Sequence, residues 1–195
     1  MLDAMDRTGK RIVQIDPAFA PVIEAVGPVK LRPPSDDAFN ALMRAIVFQQ
    51  LAGKAASAIH GRLIALFGEV PPTPEALLLL SVDALRSAGL SGNKQRALLD
   101  LAAKFADGTV PVHDVAQLSD DEIIERLVQV RGVGRWTAEM FLLFQLRRPD
   151  VWPVDDYGVR NGWARIHALP ELLTPKQMKV AGEPFAPQRS AIAWY

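Results

Sequence analysis

The residues most able to do chemistry lie in the run VQVRGVGRWTAEMFLLFQLRRPDVWPVDDYGVR, from Val128 to Arg160. It contains a glycine hairpin, Arg131-Gly132-Val133-Gly134, and, one helix and one loop later, a carboxylate pair, Asp155-Asp156. Glycines at 132 and 134 allow positive φ and a close approach by another backbone. From Trp136 to Phe144 the apolar residues recur at helical spacing, so a helix is expected directly after Gly134. Its first N–H groups have no partner inside the helix and carry the positive end of the helix dipole. That is a site for an anion such as phosphate, and it needs no lysine. Upstream, Asp120–Val130 reads as a helix with Ser119 as its N-cap. A backbone clamp for phosphate with an acid at a fixed distance from it suits an enzyme that works on DNA. On the glycines alone, a tight helix–helix turn with no ligand stays open, because a short glycine pattern is weakly specific.

Composition narrows the classes around these residues. With 195 residues and 49% hydrophobic content, the chain can bury a core in one domain or two small lobes. It has no cysteine, which excludes disulfides, thiolate metal sites and iron–sulfur clusters. His60, His113 and His167 lie far apart in sequence, so no metal-ligand cluster and no cofactor is implied. The N-terminus, MLDAMDRTGKR, is polar, and the longest apolar runs are too short to cross a membrane. A soluble intracellular protein is expected, cytoplasmic and nucleoid-associated if the source is prokaryotic. A net charge of zero argues mildly against nucleic acid, but its distribution matters more. From Ala38 to Gly68 there is no acid, while Arg44, Lys54 and Arg62 are present. From Arg126 to His167 seven arginines face four acids, and others (Asp36, Asp37, Glu69, Glu75, Asp120, Asp121) sit elsewhere. Ordinary solvated faces are the alternative reading.

The elements that must position these groups are helical, and no stretch alternates as a strand would. Met1–Asp16 is a weakly patterned lead, Pro17–Val26 a short helix, and Gly27–Pro34 a proline-rich connector. A long helix is expected from Asp36 to Val47, with Ser35 as cap. Gln49–Gly53 interrupts it, and helix resumes from Lys54 to Phe67, ending at Gly68. Further helices are expected at Pro74–Leu80, Ser81–Ala88 and Asn93–Asp107; in the last, Ala97, Leu98, Leu101, Ala102 and Phe105 mark a core face. Gly108–His113 is a connector. The chain is taken as a single domain, 1–195, whose lobes come from about 35–115 and from 116–195 together with 1–34.

RGVGRWTAEMF followed by WPVDDYGVR resembles the helix-hairpin-helix superfamily of DNA glycosylases, and most of all its 3-methyladenine DNA glycosylase II branch. Arg44–Ala56 (RAIVFQQLAGKAA) is similar to that branch's Gln-Gln-Leu loop between helices. Gly89–Ala102 (GLSGNKQRALLDLA) is similar to its Ser-x-x-Lys helix start, and Pro187–Trp194 (PQRSAIAW) to the start of its C-terminal helix. The likeness runs from about Arg32 to the end. It implies an all-α fold of two helical lobes with a DNA-binding cleft between them, containing a helix-hairpin-helix motif. It also implies a monomer acting on double-stranded DNA that contains damaged bases, with no membrane partner. Members that also cut the strand carry a lysine nucleophile two residues after the second hairpin glycine. Here that position is Trp136, which cannot form a Schiff base. Members related to endonuclease III hold a four-cysteine cluster that this chain cannot hold. Both absences imply a monofunctional glycosylase.

Such an enzyme breaks a C1′–N bond buried in a duplex, so it flips the nucleotide out and holds the base against aromatic side chains. The sugar develops oxocarbenium character, which a carboxylate stabilises while it activates water. Alkylated purines already carry positive charge and leave readily. An electron-rich pocket then suffices, with cation–π stacking adding about 0.5–2 kcal/mol. In the resemblance the second Asp of an Asp-Asp-Tyr triplet is catalytic, which is Asp156 here. Asp155 then fits an N-cap role for a helix Tyr157–His167. Asp155 as the catalytic group, or both carboxylates as mere caps, are the alternatives.

Trp136, Tyr157 and Met140 are base-pocket candidates; for Trp136, packing between two helices is the alternative. Trp152, Trp163 and Phe144 read as core. Arg131, Gly132, Val133, Gly134 and Thr137 are the expected DNA-binding residues of the hairpin. Gln49, Gln50 and Leu51 are candidates to plug the gap left by the flipped base, unless they are a buried helix break. Gly53, Lys54 and Lys94 are further DNA-binding candidates, with Lys94 open to being a solvated lysine. Related chains continue past the final Trp-Tyr with a tryptophan that lines the pocket, whereas this one stops at Tyr195, so either the tail is missing or that wall of the pocket is different. Met140 stands where some relatives have an aromatic. Both departures bear on substrate range. A glycosylase for deaminated or oxidised bases and a non-catalytic DNA-binding module are the competing functions.

Overall fold

The computed structural model describes residues 6–31, 34, 37–68, 70–111 and 115–195. Arg32, Ser35, Asp36, Glu69 and His113, named above, lie outside the described residues. Every regular element among the described residues is helical. The α-helices are α1 (Arg7–Ile15), α2 (Ala20–Val26), α3 (Ala38–Phe48), α4 (Gly53–Ala65), α5 (Pro74–Leu78), α6 (Val82–Ser87), α7 (Gly92–Ala106) and α8 (Asp120–Leu127). They continue with α9 (Arg135–Met140), α10 (Tyr157–Ile166), α11 (Pro175–Gly182) and α12 (Arg189–Trp194). Short 3-10 turns fall at Pro17–Phe19, Val115–Gln117 and Glu183–Phe185, and a π-helical turn at Phe141–Gln145.

The chain divides into two compact units, one of Pro34–Phe141 and one of Met1–Pro33 with Leu142–Tyr195. The sequence reading divides the lobes near residue 115. In the structure α8, the hairpin and α9 go with the helices before them, because α7 and the end of α3 grip the hairpin directly, as detailed below.

The unit Pro34–Phe141 is built around α7. Ala97, Leu98, Leu101, Ala102 and Phe105 recur at helical spacing and are all buried. They pack against α3, whose Leu42, Met43, Ile46 and Val47 are inaccessible. Phe39 and Phe105 meet edge to face at 5.4 Å. Local chemistry sets the helix starts. Asp37, Thr73, Ser81, Ser91 and Ser119 each accept a hydrogen bond from a first-turn N–H of the helix that follows. Ser119 and Glu122 form a reciprocal capping box. The helix expected from Asp36 thus begins at Ala38, with Asp37 as its cap.

The second unit buries Ile12, Phe19, Ile23, Trp152, Trp163, Met178, Phe185 and Ile192 together. Trp163 is central: Phe19 and Phe185 meet it edge-on at 5.7 and 6.1 Å, and the His167 ring stacks on it at 4.3 Å. His167 Nε2 lies 2.7 Å from Asp16 Oδ2, tying the start of the 3-10 turn to the end of α10. Trp152 Nε1 donates to the Met178 carbonyl at 2.6 Å. Gly182 lets α11 come this close, since a Cβ there would lie 2.3 Å from Trp152 Nε1.

Three expectations need correcting. The lead before Asp16 contains α1, which Asp6 caps by accepting from Gly9 N–H at 2.7 Å and which buries Ile12 and Val13. Too few apolar residues marked its face in sequence. Helix α8 stops at Leu127 rather than Val130, because the N–H groups of Gln129 and Val130 bond three residues back and tighten the chain into the hairpin. Phe144 is not core: the helix after Gly134 changes to π-helical pitch at Phe141, and Phe144 is 48% exposed.

Candidate functional site

The hairpin is a turn with one buried anchor. Val133 is 4% exposed, and its N–H donates to the Val130 carbonyl at 3.0 Å. Its side chain is therefore packing, and its N–H is engaged within the turn. Gly132 has φ +77°, a left-handed conformation in which a side chain is strained. Gly134 does not: it sits at φ −96°, ψ 174°, extended backbone open to any residue. The expectation of positive φ holds for the first glycine alone. A Cβ on Gly134 would meet nothing within 4 Å, so steric pressure from the protein does not explain that glycine. Neither Gly132 nor Gly134 donates its N–H to a partner among the described residues. The N–H of Arg131 is taken, donating to Asp100 Oδ2 at 2.7 Å.

The break between α3 and α4 stands beside the hairpin. Gln49 Nε2 donates to the Gly132 carbonyl at 3.1 Å and reaches Thr137 Oγ1 at 3.4 Å. Thr137 is 7% exposed, so its hydroxyl faces inward, toward this contact. Gln50 is held at φ +57°, uncommon for a residue other than glycine, and is exposed. Leu51 is 37% exposed. Lys94 is half-buried and turned back on the chain: its Nζ donates to the carbonyls of Val47 and Gln49, the latter at 2.9 Å. Burial pushes its ammonium below the usual lysine range.

Two helix starts in this unit differ from the rest. Helix α4 opens behind Ala52 and α9 behind Gly134, and no side chain caps either. Both follow loops singled out from sequence. Their first N–H groups carry the partial positive charge of a helix start, and Gly53 and Lys54 are exposed on α4. Trp136, in the first turn of α9, is 48% exposed, which disfavours core packing between helices. Met140, at the end of α9, is half-buried.

The carboxylates belong to the other unit. A turn closed by Asp156 N–H donating to the Pro153 carbonyl at 3.0 Å leads into α10. The cap of α10 is Asp156, not Asp155: Asp156 Oδ1 accepts from Val159 N–H at 2.8 Å. Asp155 lies one residue too early in the turn to reach the first-turn N–H groups, and it is exposed. The cap bond fixes the Asp156 carboxylate at the positive end of a helix dipole, which suits an anion. Tyr157 follows it, 69% exposed.

Sequence reasoning missed what holds the loop leading to Asp156. Arg189 makes a two-pronged contact with Asp150, with Nε to Oδ1 and Nη2 to Oδ2 both at 2.7 Å. Its own N–H adds a third bond, at 3.1 Å. Ser190 Oγ donates to the Arg148 carbonyl at 2.6 Å and accepts from Val151 N–H at 2.9 Å. The Arg-Ser pair at the start of α12 therefore clasps residues 148–151. The segment PQRS was noted only as a helix start, and no local signal links it to a loop 39 residues earlier.

A family model described as HhH-GPD superfamily base excision DNA repair protein matches residues 43–187. The chain is similar to DNA-3-methyladenine glycosylase 1 of Schizosaccharomyces pombe, at 36% identity over 196 residues covering 100% of this chain and 82% of the relative. Among solved structures it is similar to the S. pombe 3-methyladenine DNA glycosylase in complex with abasic DNA. There the TM-score is 0.85 at 34% identity, covering 97% of this chain and 94% of that one. A DNA-3-methyladenine glycosidase from Bacillus halodurans gives a TM-score of 0.87 at 34% identity, covering 97% and 87%.

Proposed function

Because the chain belongs to the HhH-GPD superfamily of base excision DNA repair proteins, we propose that it is a monofunctional DNA glycosylase for alkylated bases. Its substrates are bases such as 3-methyladenine and 7-methylguanine in double-stranded DNA, released by hydrolysis of the N-glycosidic bond after base flipping. The observation that carries the reading is the contrast between two helix starts. Helix α9 opens at Gly134 with no capping side chain, while α10 opens at Asp156 with a carboxylate fixed by Val159 N–H. The first suits a phosphate, and the second suits a cation developing at C1′. Asp156 stabilises the oxocarbenium and activates water. A methylated purine is cationic and needs no strong acid to leave. Trp136, Tyr157 and Met140 are the base-pocket candidates; Trp136 and Tyr157 are exposed, and an indole and a phenol suit a cationic ring. Gln50 and Leu51 supply the plug for the vacated stack. The enzyme works as a monomer in the compartment that holds the DNA, which in a prokaryote is the cytoplasm. Among the described residues no helix is long and apolar enough to cross a membrane.

Trp136 occupies the position at which a lyase needs lysine, so the product is an abasic strand with its backbone intact. The test is gel analysis of methylated duplex after reaction, with and without alkali, alongside borohydride trapping. Free base and alkali-dependent cleavage are expected. A trapped covalent adduct contradicts the monofunctional assignment, and no base release contradicts the activity.

The hairpin gives a second expectation. A Cβ at Gly134 meets nothing within 4 Å and the backbone there is extended, so the Gly134→Val variant is expected to fold with a near-normal melting temperature. Its affinity for lesion and undamaged duplexes falls alike, because phosphate contacts carry no base information. Titration of both duplexes checks this; unchanged affinity for both means that the hairpin is only a turn.

A further inference from the structure

The bonds around Gln49 and Lys94 join two loops that the proposed function uses separately. Helix α7 presents Lys94, Ala97 and Asp100 at three-residue spacing, hence along one face. Lys94 holds the carbonyls of Val47 and Gln49 at the end of α3. Asp100 holds the N–H of Arg131 at the start of the hairpin. Between them, a Cβ on Gly132 would stand 3.5 Å from Ala97 Cβ, so the turn rests on the helix. The Gln49 side chain then closes the remaining gap directly, donating to Gly132 and reaching Thr137. One residue later the chain is in the left-handed conformation at Gln50, with Leu51 exposed beyond it. A non-glycine residue persists there only where its surroundings hold it.

We propose that Gln49 and Lys94 are positioning residues that lock the Gln50-Leu51 loop to the hairpin, so that the phosphate-binding turn sets the register of the plug. The proposal rests on the glycosylase reading for its purpose, and on the geometry alone for its existence. It reassigns both side chains. Lys94 uses two of its three donors on backbone carbonyls, which makes it a positioning group rather than a phosphate contact. The Gln49 side chain does not fill the vacated stack, since it is engaged by the hairpin. The consequence is that gripping the phosphate and filling the stack form one rigid event rather than two.

Gln49→Glu tests this with little change of shape, because an ionised carboxylate cannot donate to the Gly132 carbonyl. Lys94→Met keeps the stem and removes the donors, and Lys94→Arg restores donors. The first readout needs no DNA: backbone amide hydrogen exchange in the folded protein. Gln49→Glu is expected to speed exchange in both the 49–52 loop and the 131–134 hairpin, by about three- to tenfold for one lost bond. Lys94→Met is expected to do so in the loop, with partial recovery in Lys94→Arg. The second readout is binding to an intact duplex and to one with a stable abasic-site analogue. Gln49→Glu places a negative charge beside the phosphate-binding turn, so its affinity for both duplexes is expected to fall, and by about three- to tenfold more for the abasic one. The maximal rate of base release falls with that lost preference. Hairpin exchange unchanged in Gln49→Glu overturns the proposal, as does an undiminished abasic preference. If the wild-type protein itself shows no abasic preference, the glycosylase reading fails, and the exchange experiment still decides whether the loops are locked.

Discussion

Asp156→Asn is expected to lower the single-turnover rate of base release by roughly a hundredfold or more while leaving DNA affinity nearly intact. The size follows from removing a full charge opposite a developing cation, which costs several kcal/mol. The structure makes the test clean. Asp156 caps α10 through Oδ1 and Val159 N–H, and asparagine is as good an N-cap as aspartate. The helix, its start and the side-chain orientation therefore persist, and what is lost is the charge. A carboxylate that serves only as a cap would be replaced by asparagine without loss of rate. Asp155→Asn is the paired control. Asp155 is exposed in the turn and does not cap the helix, so its amide is expected to leave the rate within about twofold, as for a surface substitution. Loss in Asp155→Asn with retention in Asp156→Asn would reverse the assignment. Retention in both would reduce the pair to structure.

Arg189→Met is expected to destabilise the protein by about 2–3 kcal/mol, between the small effect of an exposed ion pair and the 3–5 kcal/mol of a fully buried one. Both side chains of the pair are about three-quarters buried, with 26% and 27% exposed. For a chain of this size that lowers the melting midpoint by about 4–12 °C. The variant leaves Asp150 charged and without its two-pronged partner, and it loosens the loop that leads to Asp156. The pair also has a pH signature. The hydrogen bond from Arg189 holds the Asp150 carboxyl below its usual range, against the opposing effect of partial burial. Its folded value thus lies below its unfolded value of about 4. The stabilisation is fully present above that unfolded value and is lost as pH falls through the folded one. Melting midpoints of wild type and Asp150→Asn measured from about pH 7 to pH 3 should therefore differ most near neutrality, with the gap closing on the acid side. A gap constant across that range would show that Asp150 does not carry the linkage.

What could be read from the sequence was local. Ser119 announced its helix, because a cap acts within three residues of itself; Ser91, Ser81 and Thr73 cap theirs in the same way but were not assigned as caps. The Thr174-x-x-Gln177 capping box with Pro175 was equally legible, but α11 was not assigned. The core face of α7 followed from periodicity. The hairpin and the aspartate pair were found as motifs, but motif and geometry differ in detail. Only Gly132 needs its glycine for conformation, and the cap of α10 is Asp156. The bonds that give the site its shape were not legible: Asp150 to Arg189, Lys94 to the end of α3, and Gln49 to Gly132. Each joins side chains or carbonyls 39 to 83 residues apart, and nothing in local composition ranks such partners. Lys94 illustrates the cost. A lysine in the first turn of a helix looks like a phosphate contact until the carbonyls it serves are in view.

The proposed chemistry releases bases that are already cationic, through a carboxylate and without a strong acid on the leaving group. The most direct measurement is a panel of duplexes identical except for one lesion, assayed for base release by the wild-type protein in a single turnover. The panel holds 3-methyladenine and 7-methylguanine against uracil and 8-oxoguanine. Release of both methylated purines is expected, with no release of the neutral lesions above background. Faster release of uracil or 8-oxoguanine than of either methylated base would contradict it, as would binding to all four with release of none.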